Sequence, residues 1–216
     1  MARARILIAT RSRGKLRELR PLFAAEGLEV FDLDEAGLPE RDEEAGLEIF
    51  ETFEDNALAK ARHFHARSGL ATVADDSGLM VDALGGAPGV RSKRWSGRED
   101  LTGEALDDEN NRLLIERLAE ASAVGRDARA ARYVCAAAYV DGCREIVRRG
   151  EVRGRMLDAP RGTGGFGYDP YFYADELQGT FGEVSGAEKA RVSHRARAVR
   201  ALVGALKSGA IVASSE

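Results

Sequence analysis

The chain has 216 residues, 44% of them hydrophobic, and 36 acidic side chains against 32 basic ones give a formal net charge of −4. This size and composition predict one globular domain spanning residues 1–216. The charge balance argues against a nucleic-acid partner, because binding phosphate backbones favours a basic excess. No apolar run reaches the length of about 18 residues that a membrane span needs, so no membrane partner is expected. Cys135 and Cys143 lack metal-binding spacing, and a reduced, cytoplasmic protein is the simplest interpretation.

The first elements in chain order alternate between strand and helix. The apolar run Ile6–Ala9 predicts a strand, and leucines at helical spacing predict a helix over residues 13–27. A second strand over residues 28–33 leads into an acidic loop. Thr52 then begins a further helix, which we expect it to cap, with Asp55 completing a capping box.

The remaining segments predict strands and two more helices. Residues 70–76 and 79–84 are expected to form two strands, with Asp75 and Asp76 where the first one ends. Two long strands joined at Asp141–Gly142 form a predicted hairpin. The predicted helices cover residues 107–121 and 187–209. Strand–helix alternation followed by a hairpin indicates an α/β fold with a mixed sheet.

The adjacent carboxylates Asp75 and Asp76 follow a buried strand in the stretch "ATVADDSGLMVDALGGAPGV". One interpretation is a polar turn between two strands. The other is a metal and phosphate site, because α/β sheets bind ligands just beyond the ends of their strands.

The loop "TRSRGK", Thr10–Lys15, lies between the first predicted strand and the first helix. Helix N-termini bind phosphate through backbone N–H groups and the helix dipole, and this loop adds hydroxyls and cations. It is not a P-loop, because Leu16 follows the lysine where Ser or Thr is required. On the loop alone, a solvated turn explains the residues equally well.

A second glycine-rich stretch reads "RGTGGFGYDPYF" and literally contains G-x-G-x-x-G. A dinucleotide fold needs a helix directly after this motif, and Pro170 with its aromatic neighbours argues against one. Phe166 or Tyr168 could instead stack on a base, with Asp169 orienting what lies beside it. The alternative is a glycine loop that contributes aromatics to the core.

The segment "KARVSHR" brings Lys189, His194 and Arg195 together near the start of a predicted helix. They form a compact group of hydrogen-bond donors. Taken alone, a histidine such as His194 is more often a surface or core residue than a ligand.

Together with "TFEDNALAKA", these stretches occur in an order that closely resembles the inosine/xanthosine triphosphate pyrophosphatase family. The resemblance implies Mg²⁺-dependent hydrolysis of ITP, dITP and XTP to the monophosphate and pyrophosphate. It also implies an elongated mixed sheet flanked by helices, with two lobes around a central substrate cleft, and a homodimer.

The resemblance also implies site residues. Asp76 would bind the metal and act as, or position, the general base, with Glu48 as the second metal ligand and Ser77 touching substrate. The residues expected to hold the triphosphate are Thr10, Arg11, Ser12, Arg13, Gly14 and Lys15. Those expected to form the base and phosphate pocket are Phe166, Gly167, Tyr168, Asp169, Lys189, His194 and Arg195.

The chain departs from the family pattern at three places. Ser12 and Ala190 each stand where the family commonly has Asn, which removes reach at the first position and polar support at the second. Around Glu48 the text "LEIFETF" replaces the usual Glu-Thr-Gly, so Glu44 and Glu51 are alternative metal ligands.

Two other functions fit the same residues. A pyrophosphatase for pyrimidine or modified nucleotides would use the same loops, because aromatic stacking tolerates any base. A non-catalytic nucleotide sensor would need a disabled carboxylate, whereas Asp76 is intact.

Overall fold

The structure is a computed structural model that describes residues 5–121 and 127–212. The helices are α1 (Arg13–Ala25), α2 (Phe53–Ser68), α3 (Gly103–Glu120), α4 (Gly186–Val192) and α5 (His194–Val212). The strands are β1 (Arg5–Ile8), β2 (Glu29–Asp32), β3 (Thr72–Val81), β4 (Ala130–Val140), β5 (Glu145–Met156), β6 (Phe172–Ala174) and β7 (Gly179–Thr180). Among the described helices, none combines the length and the apolar character that crossing a bilayer requires.

The strands form a seven-stranded sheet in the order β2-β1-β3-β4-β5-β6-β7. Strand β1 pairs in parallel with β2 and β3, whereas β6 pairs antiparallel with β5 and β7. The prediction of an α/β fold with a mixed sheet is therefore confirmed.

The chain folds into two compact units, each assembled from separate segments. The first unit comprises Met1–Asp76, Cys135–Gly150 and His194–Glu216, and the second comprises Ser77–Val134 and Glu151–Ser193. That all these segments act as one domain stays a prediction.

The first unit has an aliphatic and aromatic core in which α1 packs against α5 and β2. Its fully buried side chains include Leu7, Ile8, Phe23, Val73, Val199 and Leu202. The second unit has its own core around stacked and edge-on aromatic rings, with Tyr133 and Phe172 centroids 4.8 Å apart. Each unit therefore provides a rigid frame for the polar side chains that it carries.

Strand β3 differs from its prediction in a way that matters for the carboxylates. It is one continuous strand over Thr72–Val81, so Asp75 and Asp76 lie inside it and not beyond its end. The prediction of two separate strands was wrong because both carboxylates are buried and satisfied by other elements. Their polarity therefore does not force the backbone into a turn.

The C-terminal helix also differs from its prediction. Ser193 adopts extended backbone dihedrals (φ −61°, ψ 152°) and separates α4 from α5. The break places Lys189 on one helix and His194 and Arg195 at the start of the next.

The predicted capping box at α2 is half formed. Thr52 Oγ1 accepts a hydrogen bond from the Asp55 backbone N–H at 3.1 Å, as expected. The Asp55 carboxylate accepts from the Thr52 hydroxyl at 2.6 Å and not from its backbone. Aspartate is one methylene shorter than the glutamate of a capping box, which explains why the carboxylate meets the Thr52 hydroxyl and not the Thr52 backbone N–H.

Gly150, in β5, lies against the first turns of α5. A Cβ atom added there would lie 2.3 Å from the His194 carbonyl oxygen and 2.4 Å from the Ala198 backbone nitrogen. Both are backbone atoms that cannot rotate aside. The absence of a side chain at Gly150 therefore fixes how closely β5 approaches the helix that carries Arg195.

We expect Gly150→Ala to lower the free energy of unfolding by about 1–3 kcal/mol, the usual cost of overpacking a tight contact. Gly204→Ala is the matched control, because Gly204 lies inside α5 with open space around it. Alanine there should raise stability by up to about 1 kcal/mol through helix propensity. Urea unfolding measures both, and equal midpoints for Gly150→Ala and the parent would contradict the close approach.

Candidate active site

The centre of the candidate site in the first unit is the pair of adjacent carboxylates in β3. Asp75 is 0% exposed and Asp76 is 5% exposed. Successive side chains of a strand point to opposite faces of the sheet. Asp75 accordingly contacts residues of α1 and α5, whereas Asp76 contacts α2. Two chemically identical groups thus have different surroundings.

Asp75 is held by two cations. Its Oδ2 atom lies 3.1 Å from Arg195 Nε and 3.3 Å from Lys15 Nζ. Burial alone would raise the pKa of Asp75, but the charges of Lys15 and Arg195 outweigh it and hold that pKa well below its usual range. Asp75 is therefore a permanent anion at neutral pH.

The cations are fixed in turn by further contacts. Arg195 also donates to the carboxylate of Glu18, and Lys15 Nζ also donates to the Asp75 backbone carbonyl at 3.3 Å. Although burial disfavours their charged forms, nearby carboxylates raise the pKa of both Lys15 and Arg195. The result is a buried network in which every charge faces an opposite one.

Asp76 has a less positive environment. Its Oδ2 atom accepts a hydrogen bond from Asn56 Nδ2 at 3.0 Å. Burial raises the pKa of Asp76; Lys15 opposes that shift and the negative charge of Glu48 adds to it. Asp76 is thus the more basic of the two carboxylates and the better proton acceptor.

Of the three candidate glutamates for a second metal ligand, Glu48 fits best. Glu44 is committed to two arginines: Arg11 contacts it with two nitrogens at 2.9 and 3.0 Å, and Arg67 with one at 2.6 Å. Glu51 is exposed. Glu48 is 32% exposed at its side chain, pairs with Lys60 at 2.5 Å, and acts electrostatically on Asp76.

These donors fit a magnesium ion that is completed by substrate. Within residues 5–121 and 127–212, no three His, Cys, Asp or Glu side chains are grouped to hold a metal by themselves. Mg²⁺ commonly uses only one or two protein carboxylates together with phosphates and waters. Asp76, which is buried, and the partly exposed Glu48, which acts electrostatically on it, would supply such a donor set.

The loop at the start of α1 is built around a helix cap. Ser12 is the N-cap residue, and its Oγ accepts from the Lys15 backbone N–H at 3.3 Å. Thr10 is buried, and its Oγ1 accepts from the Ser12 backbone N–H at 3.2 Å. The cap leads directly into the turn that directs Lys15 toward Asp75.

The other residues of the loop between β1 and α1 lie in different environments. Arg13 is exposed and Gly14 is half-buried in the first turn of α1. The Arg11 guanidinium is taken up by Glu44, which anchors the loop to the short 3₁₀ segment Asp42–Gly46. A phosphate role for Arg11 would require it to exchange that carboxylate for the ligand.

In the second unit, a buried ion pair organises the glycine-rich loop. Asp169 is 2% exposed, and its Oδ2 accepts from Lys189 Nζ at 2.6 Å and from the Phe166 backbone N–H at 2.9 Å. Lys189 Nζ also lies 5.2 Å from the centroid of the Phe166 ring. The pair therefore fixes both the loop backbone and the cation beside its aromatic ring.

The two aromatic residues of this loop differ in exposure. Tyr168 is buried, and its hydroxyl donates to the Ser92 carbonyl at 2.8 Å, which makes it part of the core. Phe166 is half-buried and retains ring surface for a ligand.

Gly167 is clamped from α3. Its N–H donates to Asp107 Oδ2 at 2.9 Å and its carbonyl accepts from Asn111 Nδ2 at 3.0 Å. Its φ of +62° lies in the left-handed region that favours glycine, so the clamp and the residue type agree.

The remaining predicted residues are Ser77, His194 and Arg195. Ser77 is half-buried in β3, directly after Asp76, and His194 is buried as the first residue of α5. Arg195 is 1% exposed and bonded to Glu18 and Asp75, so little of its surface is left for a base. Arg195 therefore holds Asp75, and the base contact expected from sequence stays a prediction.

Sequence reasoning missed Asn56, Lys60 and Glu18 as members of this network. The sequence did contain a signal for Asn56 and Lys60. The buried stripe of α2 contains Phe53, Asn56, Ala57, Lys60, Ala61 and Phe64. Two polar residues one turn apart on an otherwise apolar stripe need buried partners. Glu18 gave no comparable signal, because a glutamate in α1 is an ordinary surface residue.

Known proteins resemble this chain over nearly its full length. Residues 6–205 match the sequence profile of the Ham1 family. The dITP/XTP pyrophosphatase of Frankia alni is 48% identical over 204 residues, covering 94% of this chain and 97% of that protein. The dITP/XTP pyrophosphatase of Mycobacterium tuberculosis (strain ATCC 25618 / H37Rv) is 48% identical over 210 residues, covering 94% and 96%.

Two solved structures are also similar to this chain over nearly its full length. A HAM1 protein from Coxiella burnetii superposes with a TM-score of 0.79 at 33% identity, covering 95% of this chain and 99% of that one. A nucleoside-triphosphatase / dITP/XTP pyrophosphatase from Mycobacterium abscessus gives 0.67 at 42% identity, covering 92% and 98%. The resemblance inferred from the motifs is confirmed over nearly the whole chain, and the protein belongs to the Ham1 family.

Proposed function

We propose that this protein hydrolyses non-standard purine nucleoside triphosphates, XTP, dITP and ITP, to the nucleoside monophosphate and pyrophosphate. Relatives at 48% identity over 94% of the chain are dITP/XTP pyrophosphatases, which supports the substrate class. The observation that carries the chemistry is the buried pair in β3, in which cations hold Asp75 and an amide holds Asp76. Neighbouring carboxylates with different environments are the arrangement that assigns separate roles to two acids.

Asp76 is the proposed proton acceptor. A water that attacks the α-phosphorus must lose a proton as the new P–O bond forms, and the bond to the departing pyrophosphate breaks. Burial makes the Asp76 carboxylate more basic than in water, which suits it to accept that proton. Asp76 and Glu48 would hold Mg²⁺, which when bound neutralises phosphate charge and lowers the pKa of coordinated water.

Positive charge for the triphosphate comes from residues that already face carboxylates. Lys15 and Lys60 lie among Asp75, Asp76 and Glu48. The capped N-terminus of α1 adds backbone N–H groups and a favourable dipole for phosphate. We assign Thr10, Ser12, Arg13 and Gly14 to this phosphate-binding turn.

Base recognition is proposed for the glycine-rich loop of the second unit. That His194 touches the substrate stays a separate prediction. The half-buried Phe166 ring would stack on the purine, and the Asp169–Lys189 pair would keep the loop in place. A homodimer, as the family resemblance implies, belongs to the same proposal.

Pyrophosphate release from a nucleotide panel tests the proposed function. We expect fast release from XTP, ITP and dITP with Mg²⁺, slow release from GTP, ATP and dTTP, and none when EDTA removes the metal. A pyrimidine-led profile, or binding of XTP without any release, would overturn the proposal in favour of another pyrophosphatase or a sensor.

We expect Asp76→Asn to lower turnover by about 100-fold or more, because the amide neither accepts a proton nor binds Mg²⁺ well. The substitution preserves shape and still accepts a hydrogen bond from Asn56. Steady-state kcat for XTP is the measurement, and parent-like turnover would remove Asp76 from the mechanism.

Asp75→Asn is the matched control, because the same substitution one residue earlier removes a buried anion and leaves the proposed proton acceptor in place. It leaves Lys15 and Arg195 without their shared anion, which we expect to destabilise the fold by about 3–5 kcal/mol. The lowered pKa of Asp75 contributes stability at neutral pH that is lost as the pH falls below about 4. The variant should therefore lack that step in acid unfolding while it keeps more turnover than Asp76→Asn.

Ser12 separates helix capping from phosphate contact. Ser12→Asn and Ser12→Asp both retain an N-cap oxygen, but only Asp adds a negative charge. Ser12→Ala should raise KM for XTP several-fold, since one neutral hydrogen bond contributes about 0.5–1.5 kcal/mol. Ser12→Asn should be tolerated, and Ser12→Asp should raise KM most. If Ser12→Asp keeps the parent's KM, the residue only caps α1.

A further inference from the structure

Asn56 links Asp76, one proposed metal ligand, to the backbone of the loop that carries Glu48, the other. It is 0% exposed, and its amide makes three hydrogen bonds. Its Oδ1 accepts from the Phe50 backbone N–H at 2.9 Å, and its Nδ2 donates to the Phe50 carbonyl at 3.1 Å and to Asp76 Oδ2 at 3.0 Å. Both amide hydrogens therefore have acceptors, one on the loop and one on the carboxylate.

The loop that Asn56 holds is the one that carries Glu48, two residues before Phe50. The side chains of this loop do little to anchor it, because Ile49 is 69% and Phe50 is 43% exposed. Its backbone is instead fixed by Asn56, and Glu48 itself by Lys60, one turn further along α2. Helix α2 thus holds the Glu48 loop at two successive turns.

Residue 56 needs an amide for this task. A carboxamide presents a donor and an acceptor to one peptide group and a second donor to a carboxylate, in one fixed plane. Alanine or serine cannot span these groups. Aspartate would set a second negative charge against Asp76.

We propose that Asn56 is a positioning residue that sets the separation of Asp76 and Glu48 and thereby the affinity for the divalent cation. This inference rests on the proposed metal-dependent function, because it assigns a role to a residue behind the proposed ligands. Partners that orient metal ligands typically change metal affinity by about 10–100-fold when they are removed.

The test compares Asn56→Ala and Asn56→Ser with the parent in two readouts. Mn²⁺ binding to the nucleotide-free protein is followed by loss of the free-ion electron paramagnetic resonance signal. The Mg²⁺ concentration for half-maximal pyrophosphate release is measured at saturating XTP. We expect both variants to need about 10-fold or more cation in each readout, with a smaller effect on KM for XTP at saturating Mg²⁺.

Asn110→Ala is the matched control for a merely structural effect. Asn110 is also a buried asparagine that bridges loop backbone: its Oδ1 accepts from Ser96 N–H at 2.8 Å and its Nδ2 donates to the Lys93 carbonyl at 3.1 Å. It contacts no carboxylate in those bonds. We expect Asn110→Ala to lower the melting temperature comparably and to leave Mn²⁺ affinity at the parent's value.

The outcomes separate the inference from the function on which it rests. Folded Asn56 variants with the parent's Mn²⁺ affinity and Mg²⁺ requirement would overturn the positioning role and leave the proposed function intact. An equal loss of metal affinity in Asn110→Ala would also overturn it, since a general loss of stability would then explain the weaker metal binding. A parent protein that releases no pyrophosphate from XTP or dITP with Mg²⁺ would instead refute the proposed function.

Discussion

A carboxylate with no exposed surface remains ionised when buried cations or hydrogen-bond donors compensate for its lost hydration. Asp75 is in this position, and the first unit is arranged around its requirement. Lys15 comes from α1, Arg195 comes from α5, and β3 places the carboxylate between them. Removing a single member would leave the others as uncompensated charges, so the positions of two helices and a strand are tied to one another.

The same constraint shapes the proposed chemistry. Because successive side chains of a strand point to opposite faces, Asp76 faces α2 and meets an amide. The alternation of a β-strand thus divides two identical side chains into a fixed anion and a more basic carboxylate. Lys15, which Asp75 already holds in place, is the cation that we propose for the phosphates.

Much of this could be predicted from the sequence, because local signals agreed with the final fold. Thr52 caps α2, the first strand is followed by a loop and a helix, and the mixed sheet follows from alternating elements and a hairpin. The motif blocks also predicted the family, which the comparisons confirm. These features depend on residues close together in the chain.

The unpredicted parts depend on contacts between distant residues. The continuity of β3 through Asp75 and Asp76 requires cations that arrive from far along the sequence, as Arg195 does. Without them, two adjacent aspartates favour the end of a strand, which is where both interpretations of the sequence placed them. The ion pair between Arg195 and Glu18 and the hydrogen bond between Asn56 and Asp76 were not predicted for the same reason.

We expect the surroundings of β3 to separate the proton affinities of Asp75 and Asp76. Carbon-13 NMR titration of the aspartate carboxyl groups in metal-free protein measures this directly, with Asp75→Asn and Asp76→Asn used for assignment. The account predicts that Asp75 stays ionised to a pH well below the usual aspartate pKa of about 3.9, whereas Asp76 takes up its proton above that value. Coincident titrations, or Asp75 protonating first, would contradict it.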